Sequence, residues 1–286
     1  MRYEAPETLE AAIAILRSEP GEARVLAGGT DLLVQLKTDL IEPQLVVDIK
    51  KIRELREVRR EAEGYRIGAA VTGAELKEHP ELKAVWPGVI EAANLIGSTQ
   101  IQGRATLGGN LCNGSPAADS VPALIAAGAT VTVAGPNGRR DVPVEDIVLG
   151  PRKLSIAKDE IVVSFLLPPR PPRAADAYLR FIPRTEMDIA VVGAGVNLTL
   201  GEDGRVTAAR VGLGAVAARP LLVPAAAEAL IGSALEATAL AKFEEAVRAA
   251  CQPIDDKRGT REFRIKVAGV MARRAAQKAY ERARSR

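Results

Sequence analysis

Apolar and polar positions along the chain alternate between two periods. In "TLEAAIAILR" (8–17), Leu9, Ile13 and Leu16 recur at helical spacing behind Thr8, a residue suited to an N-cap. "ARVLA" (23–27) is a short apolar run, "DLLVQLKTDL" (31–40) reads as helix, and "QLVVDI" (44–49) is a β-branched strand. Residues 1–50 therefore predict a small α/β unit. Further strands are predicted at "GYRIGAAVT" (64–72), "ATVTVAG" (129–135, followed by a "PNG" turn and "RRDVPV") and "DEIVVSFLLP" (159–168). "PGVIEAANLIG" (87–97) predicts a helix with Pro87 near its start.

The charge run "KKIRELREVRRE" (50–61) reads as a solvated helical turn or loop dividing two α/β lobes, about 1–55 and 56–174. Beyond it the pattern changes. "AVVGAGVNLTL" (190–200) and "VTAARVGLGAVA" (206–217), joined through "GEDGR", predict antiparallel strands, and after Pro224 the chain is helical to its end. The expected organisation is a two-lobed domain over 1–174 and an α+β domain over 175–286.

Composition narrows the chemistry. The net charge of +3 is too small to call for a nucleic-acid or membrane partner, and no stretch approaches the roughly 20 apolar residues of a membrane span. The polar start "MRYEAPETLE" does not read as a signal peptide, so a cytoplasmic location is expected. Two cysteines, Cys112 and Cys251, give no disulfide framework or zinc cluster, and Cys112 is expected to pack as a small apolar residue. The single histidine, His79 in "KEHPEL", reads as a solvated loop residue, which argues against a His-based triad. Residues 261–286 carry nine Lys/Arg against two Glu, expected as a solvated face. Chemistry in such a chain belongs to a bound cofactor.

Two glycine loops supply the candidate site. In "VLAGGTDLL" (25–33) a strand ends in Gly28-Gly29 before a helix, an arrangement whose N–H groups can bind an anion such as phosphate, with Thr30 adding a hydroxyl. "ATLGGNLCNGSPAAD" (105–119) repeats the device with Thr106 and Asn110 as flanks. Asp119, just before the "VPALIAAGA" helix, could support that helix start or accept a hydrogen bond from a ligand hydroxyl. Neither loop is GxGxxG or a Walker loop.

These motifs, with "RTEMDIAVVGAGVNL" (184–198), "GLGAVAARP" (212–220) and "DDKRGTREFR" (255–264), resemble the FAD-binding subunit of the xanthine dehydrogenase and carbon monoxide dehydrogenase family. The resemblance implies an α+β fold: an FAD-binding domain of the vanillyl-alcohol-oxidase type, then the family's flavoprotein C-terminal domain. It implies non-covalent FAD here, with molybdopterin on a large partner subunit and [2Fe–2S] clusters on a small one, in a dimer of heterotrimers. The flavin would pass electrons from the clusters to an external acceptor.

Carried over by position, Val25, Leu26, Ala27, Gly28, Gly29, Thr30, Asp31 and Leu32 would wrap the pyrophosphate. Ile96 and Gly97 would lie along the cofactor, while Thr106, Leu107, Gly108, Gly109 and Asn110 would form a second phosphate and ribityl contact. Asp119 would bind a polar group of the cofactor and Val162 would pack near the rings. Arg180 stands where relatives often have lysine, at the flavin edge, and that edge near Arg180 and Arg184 would offer a docking surface. Two other readings remain open on the residues: a self-contained FAD-dependent oxidoreductase, and a docking module without catalysis.

Overall fold

The structure, a computed structural model, describes residues 1–184 and 186–286. Thr185, within the 184–198 motif, lies outside the described residues. The Thr8 hydroxyl accepts from the Ala11 N–H (3.2 Å) and starts the helix Leu9–Ser18, which buries Leu9, Ala12 and Leu16. These side chains cover a three-stranded sheet ordered Arg2–Glu4, Leu45–Asp48, Ala23–Leu26, parallel throughout. Its central strand is buried along its length, as its β-branched run requires.

The charge run is not a simple solvated loop. Ile52 and Leu55 are pulled into the core, a 3₁₀ turn spans Arg53–Arg56, and Val58–Glu61 is an edge strand paired with Gly64–Gly68. Two apolar residues among many charges are enough to anchor it, because burying each gains about 1.5–3 kcal/mol. That edge opens a five-stranded sheet ordered Val58–Glu61, Gly64–Gly68, Ile161–Leu167, Thr130–Gly135, Gly138–Pro143. All its pairings are antiparallel, so this lobe is α+β rather than the α/β unit the sequence suggested.

The sheet has two uses. One face sends Tyr65, Ile67, Val131, Val133 and Phe165 into a core shared with Trp86, which lies between the helices Pro80–Val85 and Pro87–Ala93, and with Val121 and Leu124 of the helix Ser120–Ala127. The other face presents Ala134, Ile161 and Val163 to Leu45 and Val47 of the first sheet and to Ile49 just beyond its central strand, which joins the two lobes through apolar contact. His79 has a structural role here: its Nδ1 accepts from the Leu82 N–H (3.2 Å) and caps the helix Pro80–Val85.

The remaining sheet is antiparallel, ordered Ala174–Phe181, Val192–Leu200, Val206–Gly214, Leu221–Leu222. Helices Pro224–Leu230, Ala237–Ala250 and Arg261–Arg284 supply its core partners. Against it also lies the helix Ser120–Ala127, every residue of which is buried. The approach is close: a Cβ on Gly195 would stand 2.6 Å from the Pro122 carbonyl oxygen, and one on Gly212 would overlap that same oxygen. The basic C-terminal helix is only partly a solvated face. Arg264 is buried, donates to the Val191 carbonyl (3.1 Å) and pairs with Asp256 (2.7 Å), while Lys278 and Arg282 converge on Glu91.

Candidate functional site

Strand Ala23–Leu26 ends where its pairing with Leu45–Asp48 ends, and the chain must then turn to enter the helix Leu32–Lys37. Gly29 makes that turn at φ +78°, a conformation costing an L side chain about 1–2 kcal/mol. Gly28 is needed for a different reason: a Cβ there would overlap the Arg104 carbonyl oxygen of the second lobe. Among the described residues, none of the five backbone N–H groups from Gly28 through Leu32 donates to another part of the chain. They form a cluster of unused donors, with the Thr30 hydroxyl beside them, as an anionic group requires.

The second loop enters the helix Leu107–Cys112, with Thr106 as its cap through the Gly109 N–H (2.9 Å). Gly108 is pressed on the sheet, since a Cβ there would lie 2.6 Å from the Ala69 carbonyl oxygen. Gly109 is helical and not at positive φ, so its place in the site does not come from backbone strain. Asn110 accepts from both the N–H (3.0 Å) and the hydroxyl (2.7 Å) of Ser120, and so caps the Ser120–Ala127 helix.

Both loops face one cavity of about 510 Å³ between the lobes. Of the residues singled out in the sequence, Val25, Ala27, Gly28, Gly29, Thr30, Asp31, Leu32, Ile96, Thr106, Gly108, Gly109, Asn110 and Val162 line it. Five others do not. Leu26 and Leu107 are buried in the cores, since residues next to lining positions on a strand or helix point the other way. Gly97, at φ +65°, makes the turn after Ile96.

Asp119 and Arg180 are brought together behind the lining. Arg180 Nη1 donates to Asp119 Oδ2 (2.8 Å) and to the Leu95 carbonyl (2.7 Å), and Tyr178 Oη donates to Asp119 Oδ1 (3.2 Å). Asp119 makes no side-chain cap bond to the helix it precedes; Asn110 does that work. Burial outweighs the attraction of Arg180 and pushes the Asp119 carboxyl up to about 6. The Arg180 side chain is 5% exposed, so it cannot belong to a docking surface, whereas that of Arg184 is 70% exposed.

Several lining residues escaped the sequence reading: Gln35, Asn113, Leu154, Ile156, Lys158 and Cys112. Spacing carries a signal for some of them. Gln35 follows Leu32 by three helical positions and Asn113 follows Gly109 by four, so each shares a face with a loop residue. Leu154 and Ile156 are two apart, on one side of an extended segment. Burial pushes the Cys112 thiol up to about 12, which leaves it protonated and inert as a nucleophile. A second concavity of about 300 Å³, on the five-stranded sheet, is lined by Arg59, Arg66, Arg139 and Arg140. All four are already paired: Arg59 with Glu57 (3.6 Å), Arg66 with Glu61 (2.9 Å), Arg139 with Glu54 (2.9 Å) and Arg140 with Glu160 (2.8 Å).

The donor set of the larger cavity fits a dinucleotide: unused N–H groups for a pyrophosphate, and Ile49, Ile96, Leu154, Ile156 and Val162 as apolar walls for rings. Residues 1–170 match a family model described as the FAD binding domain in molybdopterin dehydrogenase. Residues 177–279 match the CO dehydrogenase flavoprotein C-terminal domain. A putative xanthine dehydrogenase FAD-binding subunit of Escherichia coli is 33% identical over 97% of this chain and 95% of its own length. The carbon monoxide dehydrogenase medium chain of Afipia carboxidovorans is 35% identical over 99% of this chain and 98% of its own. Among solved structures, reconstituted CO dehydrogenase from Oligotropha carboxidovorans superposes with a TM-score of 0.94 at 35% identity, covering 99% of this chain and 98% of that one. Quinoline 2-oxidoreductase from Pseudomonas putida 86 superposes with a TM-score of 0.90 at 29% identity, with the same coverage.

Proposed function

The chain belongs to the family of FAD-binding subunits of molybdopterin dehydrogenases, and on that premise we propose that it relays electrons within a cytoplasmic molybdenum hydroxylase complex. The electrons come from [2Fe–2S] clusters on a small partner subunit, fed by molybdopterin on a large one, and leave to an external acceptor. The complex is a dimer of heterotrimers with this chain as its middle member, and the chain oxidises no organic substrate alone. The observation that carries the reading is the convergence of both glycine loops on one cavity with five unused N–H groups at one wall.

FAD, when bound, supplies the electron-accepting and electron-donating chemistry. The chain's own residues do the holding. The N–H groups of residues 28–32 and the Thr30 hydroxyl take the pyrophosphate, at a site where Gly28 lets the first lobe close on the Arg104 carbonyl. Thr106 and Asn110 fix the second loop, one as a helix cap and the other by capping the next helix. Ile96, Leu154, Ile156 and Val162 exclude water from the rings. Asp119 and Arg180 support the site from behind, by tying the 95–97 turn to the start of the Ser120–Ala127 helix.

The test is direct. The purified chain should hold one FAD, released in full into the supernatant on acid precipitation. It should accept electrons from artificial donors, yet turn over no purine, aldehyde, aromatic acid or carbon monoxide until both partner subunits are added. Turnover of an organic substrate by the chain alone, at about 1–10³ per second, would replace this reading with a self-contained flavin enzyme.

A further inference from the structure

Two unequal kinds of contact join the lobes at the cavity. One is the apolar contact of Leu45, Val47 and Ile49 with Ala134, Ile161 and Val163. The other is a hydrogen bond, in which Gln35 Nε2 donates to Asn113 Oδ1 (3.2 Å). Among the described residues, this is the one hydrogen bond that joins residues 1–50 to residues 62–286. Each partner lies a helical turn or two beyond a glycine loop, Gln35 on Leu32–Lys37 and Asn113 at the end of Leu107–Cys112, and both line the cavity. The Leu32–Lys37 helix buries no residue of its own, so packing does little to hold it down. Near it, the first lobe meets the second at Gly28 against the Arg104 carbonyl, a close approach without a hydrogen bond.

We propose that Gln35 and Asn113 form a clasp across the cofactor cavity, so that release of the cofactor requires this amide pair to separate. The proposal rests on the FAD-binding reading above. Neither amide need touch the cofactor; they are positioning residues that hold the Gly28–Leu32 donors over it. A dinucleotide held between two lobes leaves when one lobe swings away, and the apolar contact serves as the hinge because non-directional contact tolerates small rotations. The amide pair does not tolerate them, because a hydrogen bond weakens steeply once it is bent or stretched.

The experiment is a double-mutant cycle on the FAD-loaded chain with Gln35→Ala, Asn113→Ala and the pair. The readouts are the rate of FAD release, followed by flavin fluorescence on dilution, and the melting temperature of each apoprotein. Each single variant should release FAD about three- to tenfold faster, the range expected when one neutral hydrogen bond is lost. The double variant should be no faster than either single, because both remove the same bond. Apoprotein melting should fall by the same small amount in all three variants, the worth of one hydrogen bond, which separates a clasp from a general loss of stability. Unchanged release rates, additive effects on release, or a melting loss larger in the double variant than in either single would overturn the clasp. A parent chain that binds no FAD at all would overturn the functional reading and the clasp together, whereas FAD binding with unchanged release in the variants defeats only the clasp.

Discussion

Glycines crowd two regions of the molecule for opposite ends. At the cavity, Gly28, Gly29, Gly108 and Gly109 lie where a strand or loop turns into a helix; Gly28 and Gly29 leave backbone donors open, whereas Gly108 donates to the Ala69 carbonyl and Gly109 to the Thr106 hydroxyl. In the C-terminal sheet, Gly193, Gly195, Gly212 and Gly214 lie inside long strands with their hydrogen-bond partners in place. There the missing side chains let another element sit flush: Gly195, Gly212 and Gly214 all face Pro122 of the Ser120–Ala127 helix, and Gly193 makes room for the Tyr178 hydroxyl. Close backbone approach is common to both regions, since Gly28 and Gly108 also press on backbone carbonyls. What the first loop adds is a break in strand pairing after Leu26, which leaves the N–H groups of Gly28 through Leu32 unused.

The largest test of that contrast is Gly212→Ala. A Cβ there overlaps the Pro122 carbonyl oxygen, and two backbones meeting across a sheet cannot shift independently. Overpacking of this kind costs about 3 kcal/mol, so calorimetry should find a lower melting temperature, while FAD affinity measured well below the transition stays near that of the parent. Tight FAD binding lost at full stability would place Gly212 in the wrong class.

Gly28→Ala should give the mirror-image result. The added methyl strikes the Arg104 carbonyl and keeps the first lobe from closing, so FAD affinity should fall about tenfold, equivalent to about 1.4 kcal/mol. Apoprotein stability should change less, because the apolar contact between the lobes remains. Equilibrium titration and thermal melting of the same sample decide it; unchanged affinity would reduce the first loop to a turn.

The smallest effect concerns the joint between the two regions. Asp119 precedes the helix that fills the sheet, and its carboxyl is raised by burial to about 6 in the folded chain, from an ordinary value of 3.8. Between those two values the folded state binds more protons than the unfolded one, so the Asp119 contribution to stability declines as pH rises from about 4 to about 6 and is level above that. Asp119→Asn should remove this slope. The stability of the parent relative to the variant, from denaturant titrations across that window, should therefore grow as pH falls, and a constant difference would mean that the carboxyl is not perturbed.

The alternation of periods, the Thr8 cap, the buried Leu45–Asp48 strand and both glycine loops were legible in the sequence, because they depend on neighbours a few residues away. The charge run at 50–61 differs from the solvated turn its pattern suggests because Ile52, Leu55 and Val58 reveal their role only when a sheet edge is there to receive them. The split of roles among Asn110, Asp119 and Arg180 was likewise invisible: which side chain caps a helix and which is tied up in an ion pair is set by groups 61 residues apart. The same holds for the Gln35–Asn113 bridge, whose partners stand 78 residues apart. Local pattern determined which segments could bend, cap and bury. Only the tertiary structure decided which of their polar groups remained free to meet a ligand, because a hydrogen-bonding group is used or unused according to what the rest of the chain brings within about 3 Å of it.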